Sequence, residues 1–214
     1  MLRIRGALVA FVVAAALPGC KIIKTPTPEE KAAEAAKGAF DPAAKVEAIW
    51  QSKVLPGIEK RAGDFKTVLQ AIASNPDDAG AKYGNPRKQS SSPWTYAVKL
   101  SGKIVAADTA SRTATLDVDV DGDGKADAKV QIGPAIRGTA LRDALDFLDF
   151  NEFRNQIEWA QFGKAFNEKA NSSFLAALPR NGLTGKTITV TGAFPLPASG
   201  QLPLITPSAL TLGQ

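Results

Sequence analysis

The spacing of the apolar residues changes once along this chain, across residues 83–93, and this change constrains the fold more than any other feature. Before it, apolar residues recur every three or four positions in residues 46–50 and 65–72. That period is typical of amphipathic helices. From residue 94 onward apolar and polar residues alternate, as in half-buried strands. The sequence therefore predicts a helical domain over residues 28–84, a polar linker, and a β domain over residues 94–214.

Capping residues and prolines mark the predicted helices. Thr27-Pro28 and Asp41-Pro42 each place a capping side chain before a proline at the first helical position. The first of these helices is expected to include Ala32–Ala39. Pro56-Gly57 is expected to interrupt or end the second helix. Ser74-Asn75-Pro76 is expected to close a third helix, which contains the apolar residues of 65–72.

Strands are expected on both sides of a helical insert in the β domain. The turn signal at residues 121–124 joins two strands into a long hairpin. The insert, about residues 139–177, is rich in Phe and Leu. A small barrel with helices before its last strands is the outline of an OB-fold. The predicted class is α+β, with an N-terminal helical segment followed by an OB-fold-like β-barrel with an inserted helical region. The expected strands are Trp94–Val98, Ile104–Ala107, Thr113–Val120, Ala126–Ile132, Thr187–Thr191, and Leu202–Ile205 with Ala209–Leu212.

The first twenty residues predict export and a lipid anchor. A basic start and an apolar run too short to span a bilayer are the layout of a signal peptide over residues 1–19. The sequence Leu17-Pro18-Gly19-Cys20 resembles the lipobox of bacterial lipoproteins. That resemblance implies that Cys20 receives a diacylglycerol and that residues 20–27 form a tether to a membrane. In such lipoproteins, an aspartate directly after the cysteine is the usual signal for retention in the inner membrane. Because Lys21 occupies that position here, the outer membrane is favoured, with the protein facing the periplasm.

Composition excludes several classes of chemistry. The 214 residues contain no histidine and one cysteine, which excludes Ser-His and Cys-His nucleophiles and His-ligated zinc. The net charge of +5 is too small to indicate a nucleic-acid partner. A hydrolase would depend on paired carboxylates, such as Asp143 with Glu152 or Glu158, facing one cleft. The expectation is a protein that is not an enzyme and binds no nucleic acid.

An acidic loop at residues 119–127 is the candidate metal site. Its acids and one backbone carbonyl fit positions 1, 3, 5, 7 and 9 of a calcium-loop pattern, with glycine at position 6. Against calcium, position 12 is Val130 rather than glutamate, and the flanking segments are predicted strands. Asp and Gly are also ordinary hairpin-tip residues. Calcium is the one cofactor considered, and the candidate ligands are Asp119, Asp121, Asp123, Lys125 and Asp127.

Polar side chains are concentrated between the hairpin and the predicted insert. In a functional interpretation, arginine and amide groups bind a sugar or the carboxylates of a partner. In a structural interpretation, they cap helices and tie the insert to the barrel. The structural interpretation is favoured because buried polar groups must first be paired internally. The residues are Arg137, Arg142, Asp143, Asn151, Asn155 and Gln156.

Four blocks of sequence carry a family resemblance: Ile49–Pro56, Lys82–Gly84, Gly133–Asp143 and Phe150–Glu158. Together they resemble a family of predicted bacterial periplasmic lipoproteins of unknown function. The resemblance implies a helical N-terminal part followed by an OB-like barrel. Because members are often encoded beside sugar ABC importers, it also implies importer components or a small carbohydrate as partners.

The leading hypothesis is a non-enzymatic, lipid-anchored protein that assists carbohydrate import. The alternatives are a calcium-binding structural lipoprotein of the envelope and, third, a carboxylate-based hydrolase.

Overall fold

The structure is a computed structural model that describes Thr27 and residues 40–213. The predicted signal peptide, Cys20 and the helix expected at Ala32–Ala39 lie outside the described residues. No helix in the described part is long and apolar enough to cross a membrane.

The first described helices begin at the capping residues that the sequence contains. Asp41 accepts the Ala44 N–H at 2.9 Å, and Asn75 caps the fourth helix through the N–H groups of Asp77 and Asp78. Each cap satisfies backbone donors that have no partner within the helix. The helices are α1 (Pro42–Ile49), α2 (Leu55–Arg61), α3 (Phe65–Ser74) and α4 (Pro76–Tyr83), and a π-helical turn (Trp50–Val54) joins α1 to α2.

The expectation that Pro56-Gly57 interrupts or ends the second helix is wrong. The chain stays helical through the π turn, in which the Leu55 N–H donates to the Trp50 carbonyl five residues back. Pro56 then occupies the first turn of α2, where its missing N–H does not break an established ladder. The wide turn therefore absorbs the proline without ending the helix.

Five strands close into a barrel. They are β2 (Thr95–Asp108), β3 (Thr113–Asp119), β4 (Ala128–Pro134), β5 (Thr187–Pro195) and β6 (Leu204–Leu212), and the two-residue β1 (Gly63–Asp64) runs parallel to β2 at one side. The sheet order is β1-β2-β3-β4-β6-β5, and an antiparallel pairing of β5 with β2 closes it. The predicted α+β class, with a barrel and a helical insert, is confirmed.

One long strand, β2, replaces the two short strands expected before residue 108. Residues 95–103 of β2 pair with β5, and residues 103–108 pair with β3. Gly102 lies where the partner changes, and a Cβ there would come within 2.3 Å of the Asp119 carbonyl oxygen. Glycine therefore permits the close backbone approach that the barrel needs at this point.

The insert consists of α5 (Ala140–Asp143) and α6 (Gln156–Ser173), with short 3₁₀ turns at Phe150–Glu152 and Leu175–Ala177. Phe150, Phe153 and Ile157 recur at helical spacing in the sequence, which predicts one apolar stripe of a helix. They do not form one, because α6 begins at Gln156 and Ile157 is 68% exposed. Phe162 and Phe166 do face the core, with ring centroids 5.0 Å apart.

The described helices and the barrel share one hydrophobic core. The Trp50 ring lies 6.3 Å from Phe166 of α6, and the Phe65 ring lies 6.5 Å from Phe194 of β5. Residues from Phe40 onward belong to one compact unit. The polar segment 83–93 therefore connects two parts of the same core.

Candidate functional site

A cleft of about 650 Å³ lies between residues 85–93 and the insert, and we call it the insert cleft. One wall comes from residues 85–93, and the other comes from residues 139–160. Four of the six polar residues singled out in the sequence line it: Arg142, Asp143, Asn151 and Gln156. The cleft therefore brings together side chains that the sequence placed in one segment.

Arg142 and Asp143 form a fixed ion pair in this cleft. Arg142 is 8% exposed, its Nε donates to Asp143 Oδ1 at 2.8 Å, and its Nη2 lies 2.6 Å from the same oxygen in an ion pair. Its Nη1 donates to the Trp159 carbonyl at 2.8 Å, and the guanidinium lies 4.2 Å from the Trp159 ring centroid. Thr139 Oγ1 donates to Asp143 Oδ2 at 2.5 Å. These contacts leave the pair rigid and tie α5 to α6.

Asn155 is a helix cap. Its Oδ1 accepts the N–H groups of Ile157 at 2.9 Å and Glu158 at 3.0 Å, at the start of α6. It does not line the insert cleft. Asn155 therefore has the role that the structural interpretation gives to this segment.

Asn151 and Gln156 have a different role, because their side chains are exposed and make no hydrogen bond within the described residues. The Asn151 backbone N–H donates to Asp149 Oδ1, but its amide group is free toward the cleft. Each amide offers a donor and an acceptor side by side, which matches neighbouring hydroxyl groups on a ligand.

Residues 85–93, which the sequence indicated only as a linker, form the opposite wall. Asn85 is buried, donates to the Leu145 carbonyl at 3.0 Å and accepts the Arg87 N–H at 2.8 Å. Arg61 donates to Asp146 Oδ2 at 2.5 Å, and this hydrogen bond lowers the pKa of Asp146. Because the contacts with Leu145 and Asp146 join residues far apart in the chain, no local pattern indicates them.

A second cleft of about 760 Å³ adjoins the first, where β4 and β6 separate, and we call it the barrel cleft. Strands β4 and β6 pair in parallel, with Lys129 opposite Leu204 and Val130 opposite Ile205. Beyond it, Gln131 Nε2 donates to Thr206 Oγ1 at 2.8 Å. Arg137 lines the barrel cleft rather than the insert cleft.

The acidic hairpin tip brings three of its four aspartates together. Carboxylate oxygens of Asp119, Asp121 and Asp127 lie within 4.8 Å of one another. Asp119 accepts the N–H groups of Gly122 at 2.6 Å and Gly124 at 2.9 Å, and these bonds lower its pKa. Gly122 and Gly124 have φ near +85°, so the turn itself requires glycine.

Asp123 and Lys125 lie outside that group of three. Asp123 Oδ1 accepts the Lys125 N–H at 2.7 Å, and the Lys125 ammonium lies 3.7 Å from Asp123 Oδ2. The carboxylates of the tip therefore already accept backbone donors, as in an ordinary hairpin turn.

The carboxylate pairs considered for a hydrolase do not share either cleft. Asp143 lines both clefts, whereas Glu152 and Glu158 line neither. Glu158 Oε2 instead accepts the Arg154 N–H at 3.0 Å.

Fold and clefts define a class: an OB-fold barrel with a helical insert and two adjoining clefts beside that insert. A crystal structure of an OB-fold protein from Thermotoga maritima is similar to this chain, with a TM-score of 0.62 at 19% identity. The similarity covers 81% of this chain and 99% of that one, so the OB-fold prediction is confirmed.

Residues 10–211 match the family described as predicted periplasmic lipoprotein (DUF2291), and the chain belongs to that family. The resemblance stated from the sequence is therefore confirmed, and with it a lipoprotein of the bacterial envelope. No curated protein matches the chain.

Proposed function

We propose that this lipoprotein is a non-enzymatic binding component whose insert cleft holds a polyhydroxylated solute, and that it assists carbohydrate import. The observation that carries the proposal is the position of Asn151 and Gln156. Both amides line a cleft of about 650 Å³ and have no partner within the described residues. Ligand pockets commonly have this volume and a few convergent polar groups.

The composition of the cleft supports a sugar rather than an apolar ligand. Free amides and the Asp149 carboxylate offer paired donors and acceptors, while Phe150 and Trp159 contribute apolar surface. The rings of Phe150 and Trp159 pack edge to face, with their centroids 6.0 Å apart. Amide pairs suit adjacent hydroxyl groups, and aromatic surface suits the C–H face of a sugar ring.

The hydrogen bonds that the carboxylates of the cleft already accept support binding without catalysis. Asp143 is held by Arg142 and Thr139, and Asp149 accepts the Asn151 N–H. The chain also contains no histidine, which is the side chain that most often transfers protons in enzymes. Incubation of the protein with oligosaccharides should therefore release no new reducing ends. Release that depends on Asp143 would contradict this part of the proposal.

The anchor is proposed at Cys20, with the outer membrane as its location. A Cys20→Ser variant should lose its lipid by mass spectrometry and leave the membrane fraction. On a density gradient, the native protein should sediment with outer-membrane markers. Lipid on the Cys20→Ser variant would overturn the anchor at Cys20. Sedimentation of the native protein with inner-membrane markers would overturn the outer-membrane location.

The binding test uses the full-length chain in detergent on an array of immobilised glycans. We expect binding that Asn151→Ala and Gln156→Ala each reduce at least about fivefold, the loss of about 1 kcal/mol of hydrogen bonding. Lys53→Gln, an exposed change outside both clefts, should bind as the native chain does. Absence of glycan binding, or equal binding by all variants, would overturn the proposal.

The transport link is tested in cells. Deletion of the gene should lower uptake of a labelled sugar by a carbohydrate ABC importer of the host, and the native gene, but not the Gln156→Ala variant, should restore it. Unchanged uptake after deletion would remove the accessory role while leaving the binding test intact.

A second candidate function is calcium binding at the hairpin tip, favoured by the proximity of Asp119, Asp121 and Asp127. Calorimetry with CaCl₂ should show a weak site, with Kd on the order of 10⁻⁴–10⁻³ M. Asp121→Asn should remove the heat, and Asp108→Asn should retain it. No heat with the native chain would end this candidate.

A further inference from the structure

The insert cleft and the barrel cleft adjoin each other, and we call the two together the groove. Both are lined by Pro93, Thr139 and Asp143. The two volumes are about 650 and 760 Å³, and either is already in the range of a whole small-molecule pocket. The groove therefore has room for more than one sugar unit.

Cationic side chains outnumber anionic ones along the groove. The cations are Arg87, Lys88, Lys129, Arg137 and Arg142, and the anions are Asp143 and Asp149. An excess of one sign of charge on a concave surface concentrates its field toward the ligand. The groove therefore favours a ligand that carries negative charge.

Four of the five cations are already engaged. Arg87 donates to the Asp146 carbonyl at 3.3 Å, and Lys88 donates to the Ser92 carbonyl at 2.8 Å. Lys129 is paired with Asp117 at 2.6 Å, and Arg142 is paired with Asp143. The exposed guanidinium of Arg137 makes no hydrogen bond or ion pair within the described residues.

The backbone of Arg137 is nevertheless held firmly. Gln131, which is 3% exposed, accepts the Arg137 N–H at 2.8 Å and donates to the Arg137 carbonyl at 3.0 Å. Because Gln131 belongs to β4, the side chain of Arg137 begins from a fixed point on the barrel. A free guanidinium on a fixed base is suited to receive a carboxylate through two parallel hydrogen bonds.

We propose that the ligand is an acidic oligosaccharide of at least two units, which lies across both clefts and places a uronate carboxylate on Arg137. This inference rests on the proposed function, since it adds a second subsite to the sugar site of the insert cleft. Asn151 and Gln156 bind the hydroxyl groups of one unit, and Arg137 selects the charge of the next.

The test uses the full-length chain in detergent on one array that carries acidic and neutral glycans of one to six units. The acidic set includes oligogalacturonates, oligomannuronates and hyaluronan fragments, and each is also printed as its uncharged methyl ester. The variants are Arg137→Gln, Gln156→Ala and the control Lys53→Gln, which removes an exposed charge outside both clefts.

We expect the native chain to bind acidic glycans of two or more units at least tenfold better than their methyl esters. Arg137→Gln should abolish that preference and keep the weaker binding of the esters. Gln156→Ala should weaken both forms, and Lys53→Gln should change neither.

Two outcomes would overturn the inference alone: a preference for neutral glycans or single units, or a preference for acidic glycans that survives Arg137→Gln. Binding of no glycan at all would overturn the proposed function and this inference together. Loss of all binding by Arg137→Gln, with a native circular dichroism spectrum, would place Arg137 in the common site and contradict a separate charge subsite.

Discussion

Asn151 and Asn155 are the same residue type four positions apart, yet they have different surroundings. Asn155 Oδ1 accepts two backbone N–H groups at the start of α6, whereas the Asn151 amide has no partner within the described residues. At the scale of single residues, hydrogen bonding therefore separates structural groups from groups that can bind a ligand.

Substitution of Asn155 by alanine should lower the free energy of unfolding by about 0.5–2 kcal/mol, because α6 loses its N-terminal cap. Urea titration monitored by circular dichroism measures the change. Asn151→Ala, the matched control, should change stability by less than about 0.5 kcal/mol. Equal losses in the two variants would contradict the division of roles.

The ion pair of Arg61 with Asp146 predicts a dependence of stability on pH. The hydrogen bond from Arg61 lowers the pKa of Asp146 below its unfolded value of about 3.9. The unfolded state therefore binds more protons as the pH falls. The stabilisation is complete above the unfolded pKa and is lost as the pH falls through the folded pKa.

Arg61→Gln should therefore reduce stability at pH 7, by at most about 1 kcal/mol because Asp146 is partly exposed, and should flatten the fall below pH 4. Urea midpoints between pH 7 and pH 3 measure both effects. Lys99→Gln, which removes the exposed pair with Glu59, is the control. An unchanged acid slope in Arg61→Gln would refute the assignment.

At the scale of secondary-structure elements, α5 and α6 meet through a glycine. Gly163 lies on the buried face of α6, and a Cβ there would come within 2.7 Å of Thr139 Cγ2 and 2.8 Å of Arg142 Nη1. The close approach positions Arg142 over Trp159 in the insert cleft. Helix packing and the geometry of the cleft are therefore coupled at this residue.

Gly163→Ala should destabilise the protein by about 1–3 kcal/mol through overpacking, although alanine normally stabilises a helix interior by about 1 kcal/mol. It should also weaken glycan binding, because Arg142 must move. Thermal unfolding and the glycan array measure the two effects. Ser172→Ala, an exposed position on the same helix, should leave both unchanged, and a stabilised Gly163→Ala would contradict the contact.

At the scale of the whole molecule, the helices and the barrel share one core among the described residues. Trp50 lies in the π turn and is 1% exposed, with its ring against Phe166 of α6. Phe65 of α3 packs against Phe194 of the barrel. Loss of either contact affects both parts of the structure.

Trp50→Ala should cost about 3–5 kcal/mol and lower one common unfolding transition. Far-UV circular dichroism, which reports the helices, and fluorescence of the remaining tryptophans should give the same midpoint. Ala48→Ser, an exposed change on α1, is the control. Two separate transitions, with the barrel unaffected by Trp50→Ala, would show independent domains instead.

Local patterns predicted several helix ends correctly, since Asp41 caps a helix where the sequence indicates a cap and the helix Phe65–Ser74 ends where Ser74-Asn75-Pro76 was expected to close it. Asn75 also caps a further helix that these patterns did not predict. Alternation and turn residues also indicated the hairpin of β3 with β4. The strands on both sides of one helical insert indicated an OB-fold. The π turn before Pro56 was missed, because a local rule treats proline as a helix end and ignores how the preceding turn can widen.

Sequence alone was enough to predict the helical first part, most strands of the barrel and the position of the insert, because caps, turns and periodicity depend on near neighbours in the chain. The groove was decided by the tertiary structure alone. Asn85 reaches Leu145 across 60 positions, and Arg61 reaches Asp146 across 85. Contacts so distant leave no periodic signal, and they turned a predicted linker into one wall of a binding cleft.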